Sequence, residues 1–240
     1  MDLVESFADD RLVAYCVHCA GGTETRDHCP SRMLLDKPYP ENLPFLPSCT
    51  SCNRGFSLDE EYFACLVECA RTGSVEAVQR PKIRRTLEHS AALAARLMQA
   101  RSVGDDGGIS FAATQERVEN VVLKLARGHA AFELSEPQYH RPSHVMIKPL
   151  HLLTAAEREH FEIPPEVSVW PEIGSRAMWR MVVVEDVVVF GPEWIDVQPG
   201  QYRYLAVAEQ AVTIRFVVGE YLACEVIWDD WDAYGRIRTG

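Results

Sequence analysis

Four cysteines in the first quarter of the chain are spaced as two metal-binding knuckles. Each knuckle is a Cys-x-x-Cys pair, Cys16 with Cys19 and Cys49 with Cys52, and 29 residues separate the two pairs. A two-residue gap lets a tight turn present two thiolates to one ion, and zinc prefers four such ligands in a tetrahedron. The pattern predicts a structural zinc site. A redox dithiol, which needs only one knuckle, and unrelated cysteines are the alternatives.

The loop between the knuckles carries side chains suited to the hydrolysis of a phosphate ester. Asp27 offers a carboxylate, the hard oxygen ligand that a divalent ion needs. His28 offers a base whose pKa lies near neutrality. Asn53 directly follows the last knuckle cysteine, so the zinc turn would fix its amide as a second oxygen ligand. Neighbours in an extended segment face opposite sides, so Asp27 and His28 would share one site through a metal ion at one edge and a common water.

The order of these residues resembles the HNH endonucleases, which have a ββα-metal fold. The resemblance covers about residues 11–71 and rests on Cys-x-x-Cys, Asp-His-x-Pro, Asn-Leu and Cys-x-x-Cys-Asn, in that order. It implies that His28 is the general base and that Asp27 and Asn53 hold one catalytic divalent ion, magnesium or manganese. Asn42 matches the middle asparagine of the motif, which helps to orient the histidine. Asn53 stands where the family name has its last histidine, and an amide oxygen favours those harder ions.

The function implied by the resemblance is metal-dependent cleavage of DNA at phosphodiester bonds, leaving 5′-phosphate and 3′-hydroxyl ends. Arg26, Arg32 and Arg54 are the nearest candidates for contacts with the phosphates, and a plain surface role is the alternative for each. One site per chain is compatible with a monomer that nicks one strand or a homodimer that cuts both. Two other functions stay open: RNA cleavage by the same site, and a zinc-stabilised module that binds nucleic acid or protein and cuts nothing.

The charge distribution limits the ways in which the chain could contact nucleic acid. The formal net charge of −11 argues against a protein that coats nucleic acid by bulk electrostatics. The charge is uneven, with seven Lys or Arg and two Glu in residues 71–101, and seven Arg against fifteen Asp or Glu in residues 151–240. The basic stretch favours local steering of nucleic acid, or is a solvated helix face.

The chain is expected to be cytoplasmic and to have no membrane contact. Its apolar runs are too short to span a bilayer, and its acidic first ten residues lack the pattern of a signal peptide. In a reducing compartment eight cysteines favour metal binding over disulfides.

The sequence predicts an α+β protein in three parts. Residues 1–75 form a zinc-stapled ββα-metal (HNH) module, residues 76–150 a helical region with the basic stretch, and residues 151–240 an antiparallel β-rich domain of unknown role. The capping-box spacing of Ser57 and Glu60 predicts a helix from Leu58 to about Arg71. Further helices are predicted at residues 82–101 and 114–132, a linker at 135–149, and about five strands after residue 167.

Some residues that could bind metal or take part in other interactions are assigned no role in the site. His18, inside the first knuckle, is expected to point away as a surface residue. Cys65 and Cys69 are expected to be small apolar residues of a buried helix face. Gly128 conflicts mildly with the helix predicted around it, because glycine disfavours a helix interior. The five tryptophans all lie in the last third of the chain, where they form core or an interface for a partner.

Overall fold

The first structural unit is a two-stranded hairpin followed by a long helix. The computed structural model describes residues 10–105, 107–168, 170–180, 182–184 and 187–229, so residues 1–9 of the predicted acidic lead-in lie outside it. After the short helix α1 (Asp10–Val13), strand β1 (Thr25–His28) pairs antiparallel with β2 (Phe45–Ser48), and helix α2 (Thr50–Thr72) follows directly. Alternate residues of β1 face α2, so Thr25 and Asp27 lie on one side of the strand and His28 on the other.

Helix α2 begins two turns earlier than the capping-box pattern predicts. Its N-cap is Cys49, whose Sγ accepts a hydrogen bond from the backbone N–H of Cys52 at 3.3 Å. Ser57, the predicted cap, instead donates its hydroxyl to the carbonyl of Asn53 one turn back. The predicted start at Leu58 is therefore wrong, because a knuckle cysteine performs the capping. The predicted stop is confirmed at Gly73, which has a positive φ of 88°.

The helical middle region is present, with breaks that the hydrophobic pattern does not predict. Its first helical stretch is two helices that meet at Ser90, and the third helix continues beyond His129 as a π-helical turn. A small hairpin lies between the second and third helices of this region, with its turn near residues 104–108. The elements are α3 (Pro81–His89), α4 (Ala91–Ala100), β3 (Arg101–Val103), β4 (Ile109–Phe111), α5 (Gln115–His129) and the π-helical turn Ala130–Leu134.

A five-stranded antiparallel sheet forms most of the C-terminal part. The strand order is β5-β11-β10-β9-β8, built from β5 (His144–Pro149), β8 (Ile195–Gln198), β9 (Tyr202–Ala208), β10 (Val212–Val218) and β11 (Leu222–Trp228). The prediction of a linker at residues 135–149 is wrong in its second half, because β5 joins the sheet as an edge strand. Pro149 is tolerated at the end of an edge strand, where no further ladder donor is needed.

Smaller elements surround this sheet. Helix α6 (Ala155–Glu162) has a capping box, in which Thr154 and Glu157 bond each other's backbone. Helix α7 (Arg176–Arg180) and the hairpin of β6 (Val182–Val184) with β7 (Val187–Phe190) complete the described α-helices and β-strands. Among the described residues, no helix has both the length and the apolar character to cross a bilayer.

The largest hydrophobic cluster draws buried residues from all three predicted parts, among them Phe63 of α2, Val122 of α5 and Phe216 of β10. Helix α5 packs against α2 and also against strands β10 and β11. Cys65 and Cys69 lie in this core as expected. Helix α5 is therefore the element that connects the N-terminal hairpin unit to the sheet.

The tryptophans divide between core and surface. Trp228 is buried, and Trp194 packs beside Phe161 while donating its indole N–H to the carbonyl of Glu162. Trp170 and Trp179 are exposed, and Trp231 lies outside the described residues.

Candidate functional site

The four knuckle cysteines meet at one point, as their spacing predicts. All four Sγ atoms of Cys16, Cys19, Cys49 and Cys52 lie within 4.8 Å of one another. Zinc–sulfur bonds of about 2.3 Å in a tetrahedron place the sulfurs roughly 3.8 Å apart. The Sγ atoms of Cys19 and Cys49 are separated by 3.8 Å. The geometry therefore fits a structural metal ion such as zinc.

The ionisation of these thiols also fits a cation. Although burial opposes ionisation, backbone donors at Cys49, His18 and Cys19 lower the pKa of Cys16 to about 7. In contrast, burial and the neighbouring thiols raise the pKa of Cys52 well above its usual range. A cluster without a positive charge therefore holds some of its four thiols protonated. A divalent cation allows all four to ionise, which is the form that binds metal.

The knuckles lie beside a hairpin that contributes few residues to a hydrophobic core. The cluster of buried apolar residues beside them contains only Val17, Cys29, Leu46, Ala131 and Phe132, and the last two come from the π-helical turn. A segment with so small a core needs a staple to hold its shape. The metal would join the loop before β1 to the start of α2.

His28 has the geometry of an oriented base. It ends β1, is half-buried, and places its Nδ1 3.3 Å from the carbonyl oxygen of Pro44. A carbonyl only accepts, so Nδ1 carries the proton and Nε2 keeps a free lone pair. Burial, and secondly the charge of Arg32, lower the pKa of His28 below its ordinary value. The neutral imidazole is the form that takes a proton from water.

Asp27 faces the opposite side of β1 and lies in a buried ionic cluster. Its Oδ1 accepts from the ammonium of Lys124 on α5 at 2.9 Å, and its Oδ2 lies 3.2 Å from Nε2 of His18. The same ammonium also bonds Glu60 of α2. Although burial opposes ionisation, the bonds from His18 and Lys124 hold the pKa of Asp27 below its usual value. Asp27 is therefore an ionised carboxylate that already has a resident cation.

His18 is an internal residue, and its expected place at the surface is wrong. Only 6% of it is exposed, and its ring packs edge-on against Phe56 at 4.9 Å. Burial lowers the pKa of His18 below its ordinary value despite the hydrogen bond to Asp27. A carboxylate only accepts, so Nε2 carries a proton and donates it to Asp27. Its Nδ1 is buried without a hydrogen-bond partner among the described residues. The first knuckle thus places a histidine directly against the carboxylate of the predicted site.

Asn53 lies on the Asp27 side of the hairpin. Its Nδ2 donates to the hydroxyl of Thr25 at 3.0 Å and to the carbonyl of Arg26 at 3.2 Å. These bonds hold the first turn of α2 against β1 and leave the amide oxygen without a hydrogen bond from any described residue. The amide oxygen therefore faces no competing donor from the described residues, and its role as a metal ligand stays a prediction.

The donor set as it stands does not fit a second, catalytic ion. Asn53 offers a free oxygen, but each carboxylate oxygen of Asp27 is engaged by a donor, and the Lys124 ammonium occupies the place of a cation beside it. A divalent ion at Asp27 would have to share the carboxylate with that ammonium or replace it. The assignment of Asp27 and Asn53 as ligands of magnesium or manganese stays a prediction.

The remaining predicted site residues lie at the surface. Asn42 is exposed and bonds no described residue through its side chain, so the carbonyl of Pro44, rather than Asn42, orients His28. Arg26 is exposed on the His28 side of β1 and stacks over the ring of Phe45 at 4.5 Å. Arg32 is exposed over Tyr39.

Arg54 is also exposed, on the first turns of α2. The structure therefore brings Arg26 and Arg32 near His28, and it separates His28 from the Asp27 cluster across the thickness of one strand.

Lys124 and Glu60 are the site residues that sequence reasoning misses. Lys124 stands 97 positions after Asp27 in the chain. The available signal was a lysine on the apolar side of a predicted helix, between Val121 and Leu125, where an unpaired charge is not expected.

The chain matches no protein-family model, and neither a curated protein nor a solved structure matches it.

Proposed function

We propose that this chain is an HNH-type endonuclease that hydrolyses phosphodiester bonds of DNA, with His28 as the general base. The observation that carries the proposal is the half-buried imidazole at the end of a hairpin strand, oriented by the Pro44 carbonyl, in a hairpin whose other end leads into the four-cysteine cluster. The order of hairpin, helix and knuckles agrees with the ββα-metal module that the sequence resembles.

The proposed reaction uses groups on the exposed side of β1. His28 Nε2 accepts a proton from a water, and the oxygen of that water forms a bond to phosphorus as the bond to the 3′ oxygen breaks. The leaving oxygen takes a proton from solvent, which gives a 5′-phosphate and a 3′-hydroxyl. Arg26 and Arg32 hold the non-bridging oxygens and stabilise the charge that develops on them. Arg54 extends the contact to a neighbouring phosphate.

The resemblance also implies a magnesium or manganese ion, which would stabilise charge on the phosphate when bound. The steps proposed here do not use this ion, because its predicted ligand Asp27 is already bonded by the ammonium of Lys124.

The experiment is a plasmid assay with the full-length, zinc-loaded protein. Supercoiled DNA is incubated with magnesium, with manganese, and after dialysis that leaves neither ion, since a chelator would also remove the structural zinc. The proposal expects nicked or linear DNA whose ends carry 5′-phosphate and are joined by ligase. Intact plasmid under all three conditions refutes it. RNA in a parallel reaction decides between DNA and RNA as substrate.

A second function is favoured by the hydrogen bonds of the predicted site residues. Both oxygens of Asp27 are bonded within the protein and Asn42 hydrogen-bonds no described residue through its side chain, as in a module whose polar residues serve stability alone. Such a zinc-stabilised module binds nucleic acid or protein without cutting it. It predicts zinc in the protein, no cleavage with any ion, and DNA binding that is unchanged by His28→Ala.

A further inference from the structure

We infer that Lys124 is a built-in competitor for the divalent ion, and that an ion binds Asp27 only when the Lys124 ammonium leaves it. The inference rests on the proposed function in one respect, which is that the divalent ion implied by the HNH resemblance would use Asp27 as a ligand. It assigns to α5, a helix outside the hairpin module, control over the affinity of the site for metal.

The ammonium is placed as a bound cation would be. It bridges two carboxylates, Asp27 at 2.9 Å and Glu60 at hydrogen-bond distance, and it lies over the ring of Phe56 at 5.5 Å. Opposite charges of this kind are strongly coupled where water is excluded. Although burial opposes it, the charges of Asp27 and Glu60 raise the pKa of Lys124 above its usual value. Its two carboxylate contacts are those of a charged ammonium group.

Lys124 has no route to a substrate phosphate from this position. Only 2% of its side chain is exposed, and it lies on the side of β1 that faces away from His28. A role as a phosphate-binding lysine is therefore excluded in this conformation, and its effect is exerted on Asp27.

Charge counting gives the direction of the effect. In their ion-paired forms, Asp27, Glu60 and Lys124 together carry a net charge of −1. Replacing Lys124 by methionine alone leaves two buried, unpaired carboxylates, which destabilises the fold. The double variant Lys124→Met/Glu60→Gln keeps the cluster at −1 and frees Asp27. A comparison of this variant with wild type therefore measures the effect of removing the ammonium at an unchanged total charge of the cluster.

The test is manganese binding to zinc-loaded, full-length protein, measured by the loss of the free-ion electron paramagnetic resonance signal. We expect Lys124→Met/Glu60→Gln to bind one ion roughly tenfold or more tightly than wild type, because a hydrogen-bonded competitor is removed. Adding Asp27→Asn to that variant should abolish the gain. Zinc content and the far-UV circular dichroism spectrum establish that each variant is folded. Lys124→Gln/Glu60→Gln repeats the test if the methionine variant is not.

Two controls match the substitutions. Lys148→Met/Glu157→Gln removes an exposed Lys–Glu pair with the same overall charge change and should leave manganese affinity unchanged. Glu60→Gln alone keeps Lys124 on Asp27 and should not tighten binding. Equal affinity of wild type and the double variant, no binding by either, or a gain that survives Asp27→Asn each overturns the inference.

Failure of this inference is distinguishable from failure of the proposed function, because ion binding is read without cleavage. If wild type cuts DNA and the double variant gains no manganese affinity, the proposed function stands and the inference about Lys124 fails. If the double variant gains affinity through Asp27 but wild type never cuts DNA, the inference about Lys124 stands and the proposed function fails.

Discussion

Gly128→Ala tests how closely helix α5 approaches the hairpin that carries the site. Gly128 lies in α5, one turn after Lys124, and faces the hairpin at Cys29 and Leu46. A Cβ added there would stand 2.6 Å from Sγ of Cys29 and 3.2 Å from both Cβ of Cys29 and Cδ1 of Leu46. The sulfur has little room to retreat, because Cys29 is buried and its thiol donates to the carbonyl of Leu125. Only glycine permits this contact.

The size of the effect follows from two opposing contributions. Replacing glycine by alanine in a helix interior stabilises the helix by about 1 kcal/mol. Overpacking of a tight core contact costs about 1–3 kcal/mol, and the distances here call for the upper end. We therefore expect Gly128→Ala to lower the free energy of unfolding by about 2 kcal/mol. For a chain of this size that corresponds to a fall in Tm of roughly 4–8 °C.

Thermal and urea unfolding of matched variants measure this effect. Gly55→Ala is the control, since Gly55 also lies in a helix but a Cβ there meets nothing within 4 Å, and its stability should rise by up to about 1 kcal/mol. Removing the sulfur in Cys29→Ala/Gly128→Ala should recover part of the loss, which appears as a coupling energy in the double-mutant cycle. If Gly128→Ala stabilises the protein as Gly55→Ala does, the close approach of α5 is wrong.

Three further predictions concern the metal site, acid stability and the sheet. Cys49→Ser should lose its zinc and the structure of the hairpin unit, by elemental analysis and circular dichroism, whereas Cys224→Ala should keep both, because only Cys49 is a knuckle ligand. Burial lowers the pKa of His129 to about 3, below the unfolded value of about 6.5. The unfolded state therefore binds the proton first, and stability falls as pH drops from about 6.5 towards 3; His129→Phe should remove on the order of 3 kcal/mol of this loss at pH 4.5 in urea titrations. Arg215→Met leaves Glu225 buried without its 2.5 Å partner and should cost about 3–5 kcal/mol in the same assay, and a loss under 1 kcal/mol would contradict the pairing.

The parts of the site predictable from sequence are those built by local spacing. Two Cys-x-x-Cys pairs must form turns, so the meeting of their sulfurs follows once one ion is assumed. The alternation of Asp27 and His28 across β1 follows from strand geometry. The antiparallel sheet is confirmed, since its strands have the β-branched and aromatic residues that favour such a surface.

The unpredicted parts depend on contacts between distant residues or on competition between signals. Lys124 reaches Asp27 only because α5 packs onto the hairpin, which no local pattern encodes. The start of α2 was misplaced because Ser57 offers a valid cap, while the thiol of Cys49 performs it earlier. The strand at residues 144–149 is hard to recognise in the sequence because it ends on Pro149 and follows two further prolines, and the cost of a proline depends on whether the strand lies at an edge. Glycine occurs inside helix α5 at position 128 because any larger residue there would collide with the side chain of Cys29, a contact that the local sequence does not reveal.

The most direct test of the central claim is DNA cleavage by His28→Ala, compared with wild type and with His151→Ala, an exposed histidine near the sheet. The account predicts that His28→Ala keeps one zinc ion per chain and its circular dichroism spectrum while its nicking rate falls by about 10²-fold or more. His151→Ala should nick at the wild-type rate. Nicking by zinc-loaded His28→Ala at the wild-type rate would contradict the assignment of His28 as the general base.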